Sequence, residues 1–193
     1  MNKMKKFFLA LCVLGLAYTA KAQEFEDVNS VYIQYDAVSI DELDLSGIGV
    51  GYTHSWGLSS SAPLYLQAGI GFQYAFGSED DVDYNMYSLG IPVNLGYQFQ
   101  ISDNFGLAPY LGLNVRYYLG GKGEYDFEGY SGDFKLFDSD EADWKAFAFG
   151  WQIGVRAVIS KVTIGLSYGT DFTEMVEDAD KLASFKVTLG YNF

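Results

Sequence analysis

The sequence contains little cysteine, histidine or proline, and each scarcity excludes a class of site. It has one cysteine, one histidine and three prolines in 193 residues. Cys12 lies in an apolar run near the start, so the rest of the chain has no disulfide, no thiol nucleophile and no cysteine-based metal site. A zinc ion bound by His54 would need three carboxylates as its other ligands, which is an uncommon set. The sequence therefore predicts no metal and no cofactor.

Long apolar runs and positive charge are scarce as well. After residue 22, no stretch approaches the roughly 18 continuous apolar residues of a membrane-spanning helix. Lysine and arginine number 12 against 25 aspartates and glutamates, which gives a formal net charge of −13. Because nucleic-acid binding depends on a basic surface, this balance excludes nucleic acid as an expected partner.

The first 22 residues have the pattern of a secretory signal peptide. Three lysines precede an apolar run over residues 7–18, and Ala20-Lys21-Ala22 fits an A-x-A cleavage site. We therefore predict that residues 1–22 are removed and that residues 23–193 form the mature domain. The four lysines of the leader take the net charge from −13 to −17 for the remaining 171 residues.

Aromatic residues and glycines are abundant, and apolar residues alternate with polar ones. Aromatics make up 18% of the chain, and there are 22 glycines. From Phe185 to Phe193 every odd position is large and apolar and every even position is polar or small, the pattern of a strand with one apolar face. Eight segments alternate in this way: residues 30–39, 45–56, 63–76, 84–99, 104–119, 144–158, 161–173 and 182–193.

The apolar faces of these segments must face outward. They hold 45 positions and no Asp, Glu, Lys or Arg. The interior of an eight-stranded barrel has no room for so many large side chains. An outward Lys or Arg would cost ~2–4 kcal/mol at the bilayer midplane, which accounts for the absence of charge. The sequence therefore predicts an all-β, eight-stranded antiparallel up-and-down transmembrane barrel, in preference to a soluble β-sandwich with aromatic-rich strands.

The connections between the segments agree with an outer-membrane barrel. Short turns alternate with longer acidic connections, as periplasmic turns and external loops do in such barrels. An even number of strands places both ends of the barrel domain on the periplasmic side. The predicted external loops are residues 41–44, 77–83, 120–143 and 174–181.

The chain resembles the outer membrane protein beta-barrel domain family of Gram-negative bacteria. The resemblance covers residues 23–193 and is clearest in YSLGIPVNLGY at residues 87–97, LAPYLGL at 107–113 and GYNF at 190–193. It implies an outer-membrane location, contact with outer-membrane lipid and no enzymatic activity. It also implies insertion by the outer-membrane assembly machinery, which reads a C-terminal aromatic strand, here Tyr191 and Phe193. Pro92 removes a hydrogen-bond donor within this pattern, so a local kink or bulge is expected there.

Four charged side chains fall on the inward, polar face. They are Asp36, Arg116, Arg156 and Lys186. Charges buried in this way must be paired or hydrated. Two interpretations follow: an internal polar plug completed by glutamines and tyrosines, or a narrow path for ions. The small lumen of eight strands favours the plug.

The longest connection, residues 120–143, is the candidate binding surface. It holds eight acids and two lysines, and alternation on either side of Ser131-Gly132 predicts a hairpin above the membrane. Exposed loop aromatics often determine binding, although these residues can equally pack on one another. The candidate aromatics are Tyr125, Phe127, Tyr130, Phe134 and Phe137.

Two other motifs are weak. Some outer-membrane lipid-A deacylases carry a His-x-Ser pair, but here Trp56 stands two residues after His54. Asp81 to Asn85 resembles the start of a calcium loop, yet Met86 occupies the glycine position, so solvated charge is the simpler interpretation.

We expect a non-enzymatic protein with a structural, surface-binding or adhesive role through its acidic loops. The alternatives are a narrow channel for ions or small solutes and, third, a lipid-modifying enzyme.

Overall fold

The computed structural model describes residues 24–40, 43–79, 81–127, 130–137, 144–175 and 181–193. The predicted leader lies outside these ranges, and its removal stays a prediction. No helix within the described residues is long and apolar enough to cross a membrane. Ten strands form the fold: β1 (Val28–Ile40), β2 (Leu43–Gly57), β3 (Leu64–Glu79), β4 (Val82–Tyr97), β5 (Phe99–Ser102), β6 (Phe105–Phe127), β7 (Tyr130–Lys135), β8 (Phe147–Ile159), β9 (Val162–Asp171) and β10 (Ala183–Asn192).

Eight of these strands form a closed ring. Neighbours pair in the order β4-β3-β2-β1-β10-β9-β8-β6, and a pairing between β4 and β6 closes the circle. All of these pairings are antiparallel. The short β5 follows β4 and pairs with β6, and β7 pairs with the outer part of β6. The predicted eight-stranded antiparallel barrel is confirmed.

The first and last strands meet at a regular seam. The β1–β10 pairing runs from Ser30 opposite Asn192 to Ser39 opposite Ala183. The N–H of Phe193 donates to the carbonyl oxygen of Asn29 at 2.9 Å, which extends the seam by one further contact. A barrel closed in this way leaves no unpaired strand edge in the wall between β1 and β10.

The side chains alternate as the sequence predicts. Large apolar residues such as Ile33, Val50 and Leu111 are exposed on the outer wall, while Gln67 and Asn114 are buried inside. Period-2 alternation produces this division, and the inward glycines leave space for larger neighbours. The outward orientation of the apolar face is confirmed.

Aromatic residues cluster at both rims of the barrel. On the outer rim, the ring centroids of Tyr74 and Tyr87 lie 5.0 Å apart. Near the periplasmic rim, those of Tyr97 and Phe99 lie 4.7 Å apart. Such belts are typical of the two membrane interfaces.

Of the kink or bulge expected at Pro92, the bulge is wrong, and the kink stays a prediction. Pairs between β3 and β4 stop at Ala68 opposite Val93 and resume at Gly71 opposite Gly90 in the same register, so neither strand gains a residue there. Because Pro92 has no backbone N–H to donate, the hydrogen-bond ladder between β3 and β4 is interrupted there, but its register is unchanged.

The irregularity of this region lies instead where β4 meets the outer part of β6. Tyr87 is opposite Gly120 and Ser88 is opposite Tyr118, so Leu119 is an extra residue in β6. A bulge of this kind increases the local twist and bends the strand that carries it. The bulge lies just beyond Tyr117, where the pairing of β6 with β8 ends.

Candidate functional site in the lumen and on the outer rim

An ion pair occupies the outer part of the lumen. Nη1 of Arg116, on β6, lies 3.7 Å from Oδ2 of Asp171, on β9, and the two side chains are only 6% and 4% exposed. The same nitrogen donates to the Tyr118 hydroxyl at 2.9 Å. The sequence pattern did not lead us to Asp171, although Asp171 continues the series of inward positions that runs from Thr163 to Gly169.

A second pair of opposite charges lies next to the first. Asp36 on β1 and Lys186 on β10 are direct partners in the register of the seam. Asp36 is fully buried, and the Gln34 amide donates to its Oδ2 at 2.7 Å. Two of the predicted inward cations, Arg116 and Lys186, therefore each have a carboxylate nearby.

A chain of amides follows the inner wall of the lumen across neighbouring strands. The Gln67 amide donates to the Ser55 hydroxyl at 3.0 Å, and the Asn94 amide donates to Gln67 at 3.1 Å. Gln152, on β8 and two strands from Asn94, donates to Asn94 at 2.7 Å. The last bond passes over Gly112, where a Cβ would lie 2.1 Å from the Asn94 oxygen. Glycine is required there because any side chain would displace this chain of hydrogen bonds.

Aromatic rings and an arginine fill the periplasmic part of the lumen. Cζ of Arg156 lies 4.4 Å from the centroid of the Tyr110 ring and 5.6 Å from that of Tyr65. Phe25, from the segment before β1, stacks on Tyr65 with centroids 4.7 Å apart. The segment before β1 therefore covers part of the inner mouth.

An apolar cap closes the outer mouth, a feature that the sequence analysis did not find. It comprises inward side chains at the outer ends of the strands together with residues of the connections: Val38, Ile40, Leu43, Leu45, Met86, Tyr118, Leu136, Ala148, Met175 and Leu182. Leu136 and Met175 are fully buried in it. The rings of Tyr118 and Phe137 stack 5.0 Å apart, so the cap rests directly on the Arg116 ion pair.

The predicted hairpin is present above the barrel, with its turn in a different place. β6 and β7 pair from Lys122 opposite Lys135 to Phe127 opposite Tyr130, so Ser131-Gly132 belongs to β7 and not to the turn. Lys122 donates a hydrogen bond to Glu124, and this bond raises the pKa of Lys122.

The candidate loop aromatics have different surroundings. Tyr125 and Tyr130 are 43% and 80% exposed. Phe134 and Phe137 instead pack against the apolar cap. The side chain of Phe127 lies outside the described residues. Among the candidate aromatics whose side chains the structure describes, the two tyrosines are therefore placed to contact a partner.

The acidic segment at the β3–β4 turn has protein partners. Asp81 adopts a left-handed backbone with φ of 62°, as tight hairpin turns require. Asp83 accepts a hydrogen bond from Ser78, and Asn85 accepts one from Tyr74. Within the described ranges, no group of three His, Cys, Asp or Glu side chains could hold a metal ion.

His54 and the end of β10 lie at the periplasmic rim. Nδ1 of His54 lies 2.8 Å from Oδ1 of Asn29, and the His54 ring meets Trp56 edge-on with centroids 4.6 Å apart. Tyr191 and Phe193 are exposed on the outer wall. Their recognition by assembly machinery stays a prediction.

Comparisons with known proteins agree on the architecture. The family model for the outer membrane protein beta-barrel domain matches residues 8–193. Ail, the attachment invasion locus protein of Yersinia pestis, is similar with a TM-score of 0.50 and 14% identity, covering 89% of this chain and 100% of Ail. The outer membrane enzyme PagL is similar with a TM-score of 0.54 and 14% identity, covering 86% of this chain and 99% of PagL.

Identities this low establish a shared fold alone. No curated protein matches the sequence. The family model, however, spans nearly the whole chain, and the barrel has the apolar outer wall that the lipid bilayer requires. The protein therefore belongs to the outer membrane protein beta-barrel domain family and resides in the outer membrane.

Proposed function

We propose that this barrel is a non-conducting surface protein, without enzymatic activity, that presents its β6–β7 hairpin to an extracellular partner. The observation that carries the proposal is the contrast between a filled lumen and a projecting hairpin. The apolar cap covers the outer mouth, the amide chain lines the wall between the mouths, and the Phe25–Tyr65 stack lies at the inner mouth. An interior obstructed in this way does not favour the passage of solutes.

The hairpin has the features of a contact surface. β6 pairs with β8 as far as Tyr117 and with β4 as far as Tyr125, and it continues to Phe127, so its outer part and β7 extend beyond the end of β8. Exposed tyrosines are frequent anchors in protein interfaces. Between Tyr130 and Phe134, β7 forms backbone pairs with β6 and with no other described strand, and such an edge can accept an added strand. The acidic composition of residues 120–143 favours a partner with a basic surface.

A catalytic role has less support. The single histidine is engaged with Asn29 and Trp56 at the periplasmic rim. PagL is described as an outer membrane enzyme, but a likeness at 14% identity carries no catalytic residues to this chain. Nε2 of His54 lies 4.0 Å from Oδ2 of Asp27, and the hydrogen bond of its ring goes to Asn29 and not to a hydroxyl nucleophile.

The hairpin can be shortened while the pairs of the barrel below it are kept. Lys122 and Lys135 are direct partners, so an Asn-Gly turn can replace the residues between them, at the loss of Phe134 from the edge of the cap and of three pairs with β4. Bacteria that display the shortened chain are expected to lose adhesion to a surface coated with a basic protein. The double substitution Tyr125→Ser and Tyr130→Ser is expected to lower adhesion by about tenfold or more, since one tyrosine hot spot contributes ~2 kcal/mol.

One control shows that the variants still fold, and another shows that a substitution away from the hairpin has no effect on adhesion. The variants should retain the faster gel migration of unboiled protein, and Leu58→Ser, in an exposed periplasmic turn, should adhere like the unchanged chain. Undiminished adhesion by folded barrels with the shortened hairpin would contradict the proposal.

The second candidate function is a narrow channel, which the polar cavity of ≈ 90 Å³ within the lumen favours. We expect planar-bilayer recordings of the purified barrel to show no steady conductance, because the apolar cap covers the outer mouth and the Phe25–Tyr65 stack lies at the inner mouth. A steady conductance that falls in Gly154→Leu would instead support the channel. A Cβ at this position lies 2.5 Å from the Tyr110 ring, so bulk added there narrows the lumen.

A further inference from the structure

Arg156 differs from the other inward cations of the described lumen. Arg116 has Asp171 at 3.7 Å, and Lys186 is opposite Asp36. No described carboxylate forms an ion pair with Arg156, whose buried Nη2 also has no hydrogen-bond partner in the protein. The rings of two tyrosines flank its guanidinium but supply only weak negative potential. Arg156 as a whole is half-buried, and a cation in this position without a counter-charge is costly, so this group requires compensation.

The polar cavity lies directly beside this guanidinium. It has a volume of ≈ 90 Å³, and a buried water requires only about 10–15 Å³, so the cavity is large enough for a small anion and several waters. Arg116, Arg156 and Lys186 all line it, and no described carboxylate does. Hydroxyl groups supply further donors, from Tyr32, Tyr110, Thr163, Ser167 and Thr188. A cavity lined by cations and hydroxyl donors suits an anion.

We propose that the lumen binds one small monovalent inorganic anion, of halide size, beside Arg156. The charge of the lumen selects a monovalent ion. Arg116, Arg156 and Lys186 supply three positive charges, and Asp36 and Asp171 supply two negative charges, so one negative charge restores neutrality. The cavity volume of ≈ 90 Å³ favours an ion that is small. The anion completes the polar plug and is independent of the surface function.

Bromide tests the location of the ion directly. The chain is isolated from outer membranes and crystallised in detergent with sodium bromide, and anomalous diffraction locates the bromide. The expected result is a peak in the cavity, in contact with the Arg156 guanidinium, that disappears in Arg156→Gln. A peak that persists unchanged in Arg156→Gln is an adventitious ion only and overturns the proposal, as does the absence of any peak in the lumen.

Stability measurements test whether the ion contributes to the fold. Urea unfolding in lipid vesicles is compared in chloride and in gluconate, which is too large for the cavity, at equal ionic strength. Chloride at ten times its dissociation constant is expected to raise the folded-to-unfolded ratio about tenfold. Arg156→Gln should remove this dependence on chloride.

The matched control is Lys161→Gln. Lys161 is also a cation over a tyrosine ring, 5.9 Å from the centroid of Tyr191, but it lies in the turn after β8. This variant should keep the full chloride effect. An equal effect in Arg156→Gln, or none in the unchanged chain, would overturn the proposal. If Arg156→Gln fails to fold, the bromide peak and the chloride dependence of the unchanged chain decide the question.

Discussion

Replacing Arg116 with methionine is expected to destabilise the barrel by about 3–5 kcal/mol, because it leaves the Asp171 carboxylate buried without its cation. The Tyr118 hydroxyl also loses its hydrogen bond from Arg116, directly beneath the apolar cap. Urea unfolding of the barrel in lipid vesicles measures this loss, with the fluorescence of the three tryptophans as the signal.

The double variant Arg116→Met and Asp171→Asn separates lost charge balance from lost packing. It removes both charges, so it should recover much of the stability that the single change loses. Lys122→Gln is the control, since it breaks an exposed ion pair on the hairpin and should change stability little. A single variant as stable as the unchanged chain would show that the Arg116–Asp171 pair does not support the fold.

A charge at the centre of the outer wall should also be severely destabilising. Leu111 lies near the middle of the part of β6 that forms the wall and is 59% exposed. Leu111→Arg is expected to destabilise the membrane-inserted barrel by ~2–4 kcal/mol, since the guanidinium must enter hydrocarbon or distort the bilayer. The same vesicle unfolding assay measures the loss, and the unboiled gel band reports the folded fraction.

Tyr130→Arg provides the matched comparison for this change. Tyr130 is exposed as well, but it lies on the hairpin beyond the wall, where arginine remains in water. This variant should insert and fold like the unchanged chain. If Leu111→Arg were as stable as Tyr130→Arg, the outer wall would not be in contact with lipid.

The barrel wall could be predicted because its physical cause is local. Each strand alternates with period 2, so the position of Phe185 or Leu111 in its own segment decides which way the side chain points. The same alternation placed Asp36, Arg116, Arg156 and Lys186 inside. Asp171 follows the same alternation but was not identified, and its pairing with Arg116 depends on the distance across three neighbouring strands, which no single segment contains.

The apolar cap could not be predicted from alternation, because it depends on how loops return to the barrel. Val38 and Ile40 continue the inward positions of β1 but are apolar, which contradicts the rule of a polar interior. They are buried because Leu136 and Met175, from distant connections, pack onto them as one cluster. Phe134 and Phe137 join the cap for the same reason, while Tyr125 and Tyr130 remain exposed.

The pairing of β1 with β10 makes closure an all-or-none event. The segments that form this contact are separated by nearly the whole length of the chain, so the ring has two open edges until β10 arrives. Contacts between distant segments are slow to form, and open edges of apolar strands associate readily with other chains. The ring therefore closes only when the last strand pairs with the first, and a chain that has not yet done so keeps two strand edges open to association.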